Sequence, residues 1–254
     1  MWSRPDSQEE HMKVLTSFQE LDTLGAALVQ DYFKKTHRWN SMSVDIEGFI
    51  KDYLCLDLVY ECFAEEDKSK IGFSADGRTP LMIRRGEVAA AVIYPKDTLV
   101  IDQFLERREE SGRRRFTMAH EAAHNILGRH VPMQMAAAFH SDYDHEALYS
   151  MEDMKRIFSM NEAFANRLGA AILMPLFLVE KAQSKYYNGQ RIICYEGVFA
   201  QKEKLAIQKM ADTLGVNYTA MVNRLKELNL LDFHPVSEYL QNDLKVRGAY
   251  DGQN

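Results

Sequence analysis

The segment FTMAHEAAHNILGRH, residues 116–130, contains three histidines and one glutamate among apolar residues that recur at helical spacing. Its middle has the pattern H-E-x-x-H, formed by His120, Glu121 and His124. On a helix, residues four apart lie on the same face, so the two imidazoles can reach one ion at about 2.0–2.1 Å. The segment therefore predicts a helix that holds a metal ion.

Glu121 lies roughly 100° around this helix from His120, where it does not compete as a ligand. A metal such as zinc lowers the pKa of water, and a glutamate at this position can accept the proton. A shuffled chain of this composition contains roughly 0.02 matches to the pattern. The alternative, two solvated histidines on a polar face, is weakened because the helix also carries residues typical of a buried face: Ala122, Ala123, Ile126 and Leu127.

Two residues compete for the third protein ligand that a catalytic zinc site needs. His130 lies ten residues after His120, at the metzincin spacing, but the glycine that would turn the chain back is one residue late, at Gly128. We favour Gly128 as a helix terminator followed by an exposed histidine. The second candidate is Glu162, in the segment NEAFANRLGAAILMP, residues 161–175.

On a helix, Glu162 shares one face with Ala165, Asn166 and Gly169. The small residues would let this helix approach the first closely. Asn166 could accept a hydrogen bond from the free ring N–H of a ligand histidine and so fix its tautomer. From the spacing alone, an exposed carboxylate at Glu162 is an equally good interpretation.

The segments RRRFTMAHEAAH, residues 113–124, and E-x-x-A-N-R-L-G-A-A-I-L-M-P, residues 162–175, resemble the ImmA/IrrE family of bacterial metallopeptidases. A weaker similarity extends from about residue 24 to residue 231. The resemblance implies one zinc ion per chain bound by His120, His124 and Glu162, with Glu121 as the general base. It also implies protein substrates that are helix-turn-helix repressors.

The chain departs from the family pattern at two points. Ala122 and Ala123 replace the usual Leu-Gly, which are not ligands. The 38 residues from His124 to Glu162 indicate an insertion near residues 131–158. This stretch is most simply a solvated acidic loop, and it contains four equal candidates for the group that stabilises the oxyanion: His140, Tyr143, His145 and Tyr149.

The remaining sequence predicts an α+β fold, with a zincin-like metallopeptidase core in which a small, mostly antiparallel sheet packs on the metal-bearing helices. Helical spacing is present in residues 12–36, 44–53 and 154–173, and strand patterns occupy residues 56–63, 70–75, 80–85, 88–94 and 98–102. In minimal zincins an edge strand binds the substrate main chain, and residues 88–94 or 98–102 are our candidates. We expect an N-terminal extension (1–23), a zinc metallopeptidase core (24–180), a helix-turn-helix-like subdomain (181–235) and a tail (236–254).

Residues 201–231 form a predicted helical pair in which Asn217 or Thr219 caps the second helix. Asn223, Arg224 and Lys226 are predicted to be exposed there, where they could contact DNA weakly. The pair therefore has three interpretations: packing on the core, substrate docking, or DNA binding. The last makes a transcriptional regulator with a structural or sensing metal the alternative to a zinc endopeptidase.

Composition limits the other function classes. The net charge of −6 excludes a generally basic surface for nucleic acids. Three scattered cysteines favour a reducing compartment. The N-terminus lacks a signal-peptide core, and the longest apolar run, residues 168–179, has only twelve residues and includes Pro175. We expect a cytoplasmic protein that does not span a membrane.

Overall fold

The computed structural model of the chain describes residues 17–64, 70–130 and 151–242. Part of the predicted N-terminal extension, most of the predicted insertion and most of the predicted tail lie outside these residues. The four oxyanion candidates at 140–149 lie outside them as well.

The helices follow the predicted pattern closely. The first begins at a capping box in which Ser17 and Glu20 satisfy each other's backbone N–H groups, and α4 ends just before Pro175. The second helix continues as a π-helical segment, Phe49–Tyr53. The helices are α1 (Phe18–Lys35), α2 (Ile46–Gly48), α3 (Ser111–His130), α4 (Met151–Leu173), α5 (Leu176–Tyr187), α6 (Gln201–Leu214), α7 (Tyr218–Glu227) and α8 (Val236–Asn242).

In the part of the chain that the structure describes, the strands form three small sheets. They are β1 (Asp57–Glu61), β2 (Gly72–Ser74), β3 (Pro80–Arg85), β4 (Val88–Ile93), β5 (Thr98–Asp102), β6 (Ile192–Tyr195) and β7 (Leu231–His234). The first sheet has the order β1-β5-β2, β3 pairs with β4 as a hairpin, and β6 pairs with β7.

Strand direction departs from the prediction of a mostly antiparallel sheet. β5 pairs antiparallel with β2 but parallel with β1, and β6 and β7 are also parallel. The reason is connectivity. Helices lie between β6 and β7, and the β3–β4 hairpin lies between β1 and β5, so in each pair the connection brings the chain back to the end of the sheet where the first strand began. Alternation of residue types gives a strand's faces but not its partner. The pair β6 and β7 was not predicted.

The first sheet lies between two apolar layers. Leu99 and Ile101 face the main core, which they share with α1, α3 and α4, while Val100 faces a smaller core with Leu81 and Ile83 of the hairpin. The hairpin therefore covers the face of the sheet opposite the helices. β5 is the central strand, so the prediction that residues 98–102 form an edge strand is wrong.

Helix α4 packs against both α1 and α3 at small residues. A Cβ atom at Gly25 of α1 would lie 2.7 Å from the Cβ of Ala171, and one at Gly169 would lie 3.1 Å from the backbone nitrogen of His120. The predicted close approach of the two metal-bearing helices is confirmed, since Ala165 is also fully buried.

The C-terminal helical pair has the predicted local structure. Gly215 ends α6 in the left-handed conformation (φ 69°), and the Asn217 side chain caps α7 by accepting a hydrogen bond from the backbone of Ala220 at 2.7 Å. The pair is anchored to the core by Arg115, whose Nε donates to the Gly215 carbonyl at 2.9 Å. Whether it is a helix-turn-helix module stays a prediction, as does the domain division, whose boundary at 180 lies within α5.

Arg224 corrects the predicted DNA-contact surface. Its side chain is buried, with 1% of the residue exposed, rather than solvent-facing. Its Nε donates to the Met174 carbonyl at 2.9 Å, and Nη1 donates to Asp22 at 2.7 Å and to Glu227 at 3.1 Å. Helical spacing alone predicts that Arg224 is exposed beside its polar neighbours, but contacts with Met174 and Asp22, which are far away along the chain, bury its side chain.

Among the described residues no single helix is long and apolar enough to cross a membrane. The segments Met160–Leu173 and Leu176–Tyr187, which are bent by 52° relative to each other, have the necessary length and apolar composition only when they are taken together.

Candidate metal centre

Three predicted ligands converge at the crossing of α3 and α4. The Nε2 atoms of His120 and His124 lie 2.9 Å apart. The Glu162 carboxylate reaches both, with one oxygen 3.3 Å from His120 Nε2 and the other 3.4 Å from His124 Nε2. Helix α3 supplies the histidines from consecutive turns, and α4 supplies the glutamate.

The donor set fits a metal ion in type and in spacing. Two imidazoles and one carboxylate are a common ligand set of catalytic zinc sites. Donors at about 2.0–2.1 Å from a tetrahedral ion lie roughly 3.3 Å from one another. The two Nε2 atoms are 2.9 Å apart, and each of them has a different Glu162 oxygen at 3.3 or 3.4 Å. His120, His124 and Glu162 therefore bring donor atoms of the right type close enough together to hold one ion.

The ionisable groups of the metal-free site shift one another's pKa values. Burial lowers the pKa of His120, but the hydrogen bond with Glu162 and the charge of Glu121 outweigh burial, so the pKa lies above its ordinary value. Hydrogen bonds from His120 and His124 hold the pKa of Glu162 well below its usual range. A carboxylate that stays ionised beside two imidazoles is ready to accept a cation.

Glu121 lies beside the ligands but does not join them. Only 8% of the residue is exposed, and burial raises the pKa of its carboxyl group, although the neighbouring histidines act in the opposite direction. It faces strand β2, because a Cβ at Gly72 would lie 2.5 Å from Glu121 Oε1. The predicted buried face of α3 is confirmed, since Ala122, Ala123 and Leu127 are fully buried.

The competing ligand His130 lies too far along the helix. Helix α3 runs through Gly128 without ending, so the predicted helix terminator at Gly128 is wrong, and so is the turn that a metzincin-like site would need. Ten residues of unbroken helix separate His120 from His130, which is about 15 Å along the axis. Glycine ends a helix only when the following chain turns away, and here it continues.

Asn166 lies one turn beyond Glu162 and contributes to the raised pKa of His120. However, the buried Nδ1 of His120 has no hydrogen-bond partner within range among the described residues. The predicted role of Asn166 in fixing the tautomer of a ligand histidine therefore stays a prediction.

Gly72 was not identified from the sequence as part of the site. Its close approach to Glu121 brings the main chain of β2 next to the candidate base. A glycine inside the strand pattern KIGFSA, residues 70–75, is the available signal, because such glycines mark a close backbone approach. The strand pattern alone could not say which helix it approaches.

The comparison with protein families agrees with this geometry. Residues 94–226, slightly more than half of the chain, match the model of the Peptidase_M78 family, described as the IrrE N-terminal-like domain. The matched region includes His120, Glu121, His124 and Glu162. A comparison with curated proteins gave no match. With the His-His-Glu cluster formed as the family pattern implies, the chain belongs to the ImmA/IrrE family of metallopeptidases.

Proposed function

We propose that this protein is a zinc-dependent endopeptidase that uses His120, His124 and Glu162 as metal ligands and Glu121 as the general base. One observation carries the proposal. Three donor atoms of the zinc-binding type converge within 4.8 Å of one another, and a buried carboxylate that is not a ligand lies beside them. A catalytic zinc site has three protein ligands and an open position for water, so three donors with a separate base beside them favour catalysis over adventitious binding.

When bound, zinc supplies Lewis acidity, which lowers the pKa of water and polarises a peptide carbonyl. The protein's own contribution begins with Glu121, which accepts the proton of the attacking water and passes it to the leaving amine. Burial raises the pKa of Glu121, so its carboxylate is a stronger base than an exposed glutamate. His120 and His124 must be neutral to act as ligands.

Strand β2 is the edge that we propose for the substrate main chain. Within residues 17–64, 70–130 and 151–242, β2 pairs with β5 on one side only, and its Gly72 lies against Glu121. An extended peptide added to this edge would run alongside Gly72 and therefore close to Glu121. β4, one of the two strands predicted for this role, lies in the hairpin on the far face of the sheet.

The substrate class that we propose is a helix-turn-helix repressor, and this rests on the family resemblance. A general peptidase and a specific one differ in an observable way. A specific enzyme cleaves one folded repressor at one bond and leaves a mixture of unrelated peptides largely intact.

The test uses zinc-loaded protein, candidate repressors and a proteome-derived peptide mixture, with products read by mass spectrometry. Glu121→Gln should retain about one zinc per chain and lose cleavage by roughly 10²–10⁴-fold, because it removes the base and not a ligand. Glu180→Gln, an exposed change on α5, is the matched control and should match the wild type.

Cleavage that persists in Glu121→Gln would overturn the mechanism. Zinc-loaded wild type that cleaves neither the repressors nor the peptides would overturn the endopeptidase assignment. Cleavage of many unrelated peptides, with no preference for a repressor, would overturn the substrate class alone.

A further inference from the structure

Gly72 and Glu121 are in contact across the gap between β2 and α3. A Cβ atom built at Gly72 would lie 2.5 Å from Glu121 Oε1, 2.8 Å from Glu121 Cγ and 2.7 Å from the Cγ2 methyl of Thr117. All three distances are shorter than a normal van der Waals contact. The backbone of Gly72 does not have a positive φ, so its conformation would accept alanine. The restriction therefore comes from the neighbouring side chains and not from the strand.

We propose that Gly72 is a positioning residue: the absence of its side chain leaves the space that the Glu121 carboxylate occupies. The inference rests on the proposed function of Glu121, and it adds a second element, β2, to the machinery of the site. Since the main chain of β2 lies against one side of the carboxylate, it limits how far the carboxylate can move toward the strand.

A side chain at residue 72 would have unequal effects on the fold and on the site. The Thr117 methyl at 2.7 Å and Glu121 Cγ at 2.8 Å must also give way, at some cost to packing, whereas the nearest atom, Glu121 Oε1, is the end of a flexible side chain that can rotate away. That same atom accepts the proton in the proposed reaction, and displacement by about 1 Å can cost a hundredfold in rate. Gly72→Ala should therefore retain its zinc and its fold while kcat falls roughly a hundredfold.

The inference has a test that does not need a substrate. Acetohydroxamate binds a metal through two oxygens and gives its acidic proton to an adjacent carboxylate. Its dissociation constant would be measured on zinc-loaded wild type, Gly72→Ala and Gly112→Ala. Gly112 is the matched control, because a Cβ there would meet its nearest neighbour, the Asn217 backbone nitrogen, at an ordinary 3.5 Å.

We expect at least a tenfold weaker affinity in Gly72→Ala and no change in Gly112→Ala, with equal zinc content in all three proteins. A double-mutant cycle then assigns the cause. In the Glu121→Ala background, Gly72→Ala should change the affinity less than twofold, because the displaced group is already absent. Thr117→Ser, which removes the Cγ2 methyl, should partly restore affinity to Gly72→Ala.

In the hydroxamate experiment, two results would overturn the inference: unchanged affinity in Gly72→Ala, or equal losses of affinity with and without Glu121. If Gly72→Ala does not fold, the variant that also carries Thr117→Ser is subject to the same two criteria. If the double-mutant cycle shows that Gly72 acts on hydroxamate affinity through Glu121 but the protein cleaves no peptide, the proposed function is overturned and the position of Glu121 is still supported. Peptide cleavage that Gly72→Ala does not alter would overturn the role of Gly72 alone.

Discussion

Gly169 of α4 lies directly against the backbone of His120 of α3. A Cβ at residue 169 would be 3.1 Å from the His120 nitrogen and 3.2 Å from the Ala119 carbonyl carbon. These contacts involve helical backbone, which cannot rotate away as a side chain can. The separation of α3 and α4 at this point, and hence the distance from Glu162 to the two histidines, depends on the missing side chain.

Enlarging Gly169 should therefore weaken metal binding. Gly169→Ala needs a shift of a few tenths of an ångström and should reduce zinc affinity by a few-fold, whereas Gly169→Val should reduce it by at least tenfold because the helices must separate. Competition with a chromophoric chelator measures both constants.

The matched control is Gly25→Ala. Gly25 belongs to α1, which packs on the side of α4 opposite α3. Its Cβ would meet Ala171 at 2.7 Å, so it should destabilise the fold without moving α3. Equal losses of zinc affinity in Gly25→Ala and Gly169→Val would mean that general loosening, and not helix separation, is responsible.

The cluster of candidate metal ligands could be predicted from the sequence because its signals are largely local. The spacing of His120 and His124 places them on one face by helix geometry alone, and the small residues after Glu162 allow the second helix to approach. Glu162 needed more than spacing, since a lone carboxylate on a helix is usually solvated. The family pattern supplied the choice, and the 3.3–3.4 Å distances in the structure agree with it.

The parts that could not be predicted depend on long-range partners. The period of a strand does not show that β2 forms an edge or that β1 runs parallel to β5. Arg224 shows the same limit on a helix, because its partner Asp22 is 202 residues away along the chain. Local composition suggested an exposed cation, and tertiary contacts made it a buried one.

Arg224 should therefore contribute to stability rather than to DNA affinity. Arg224→Met removes the charge from a network with Asp22 and Glu227 and breaks the bond to the Met174 carbonyl. Removing one partner of a buried ion pair costs about 3–5 kcal/mol. We expect the free energy of unfolding, measured in urea, to fall by about 3 kcal/mol, since Arg167 still pairs with both carboxylates.

Lys226→Met is the control, because Lys226 is exposed on the same helix. Its free energy of unfolding should stay within about 0.5 kcal/mol of the wild-type value. An equal, small effect of both substitutions would contradict the buried network.

Metal should stabilise the fold through the ligands alone. An ion that binds only the folded state, at 100 times its dissociation constant, adds about 2.7 kcal/mol. Zinc should therefore raise the melting temperature of the wild type, and EDTA should reverse the rise. His124→Ala and Glu162→Ala should lose most of the rise, while Glu121→Gln should keep it. A full zinc-dependent rise in Glu162→Ala would move the third ligand to another residue.

The metal-free site should leave a pH signature whose sign follows from two opposite pKa shifts. The pKa of Glu162 lies below its ordinary 4.5, so its contribution is present above that pH and is lost as the pH falls through the folded-state pKa. The pKa of His120 lies above its ordinary 6.5, so its contribution is present below that pH and is lost as the pH rises through the folded-state pKa. Both contributions are complete only between these two values.

In EDTA, the difference in melting temperature between wild type and Glu162→Gln should therefore be largest between pH 4.5 and 6.5 and should shrink on either side. Glu180→Gln should give a flat difference across the same range, because its carboxylate is exposed on α5. The pKa of His120, followed by NMR, should fall in Glu162→Gln, since the carboxylate that raises it is gone. A stabilising difference that still grows above pH 7 would show that Glu162 interacts with something other than a protonated histidine.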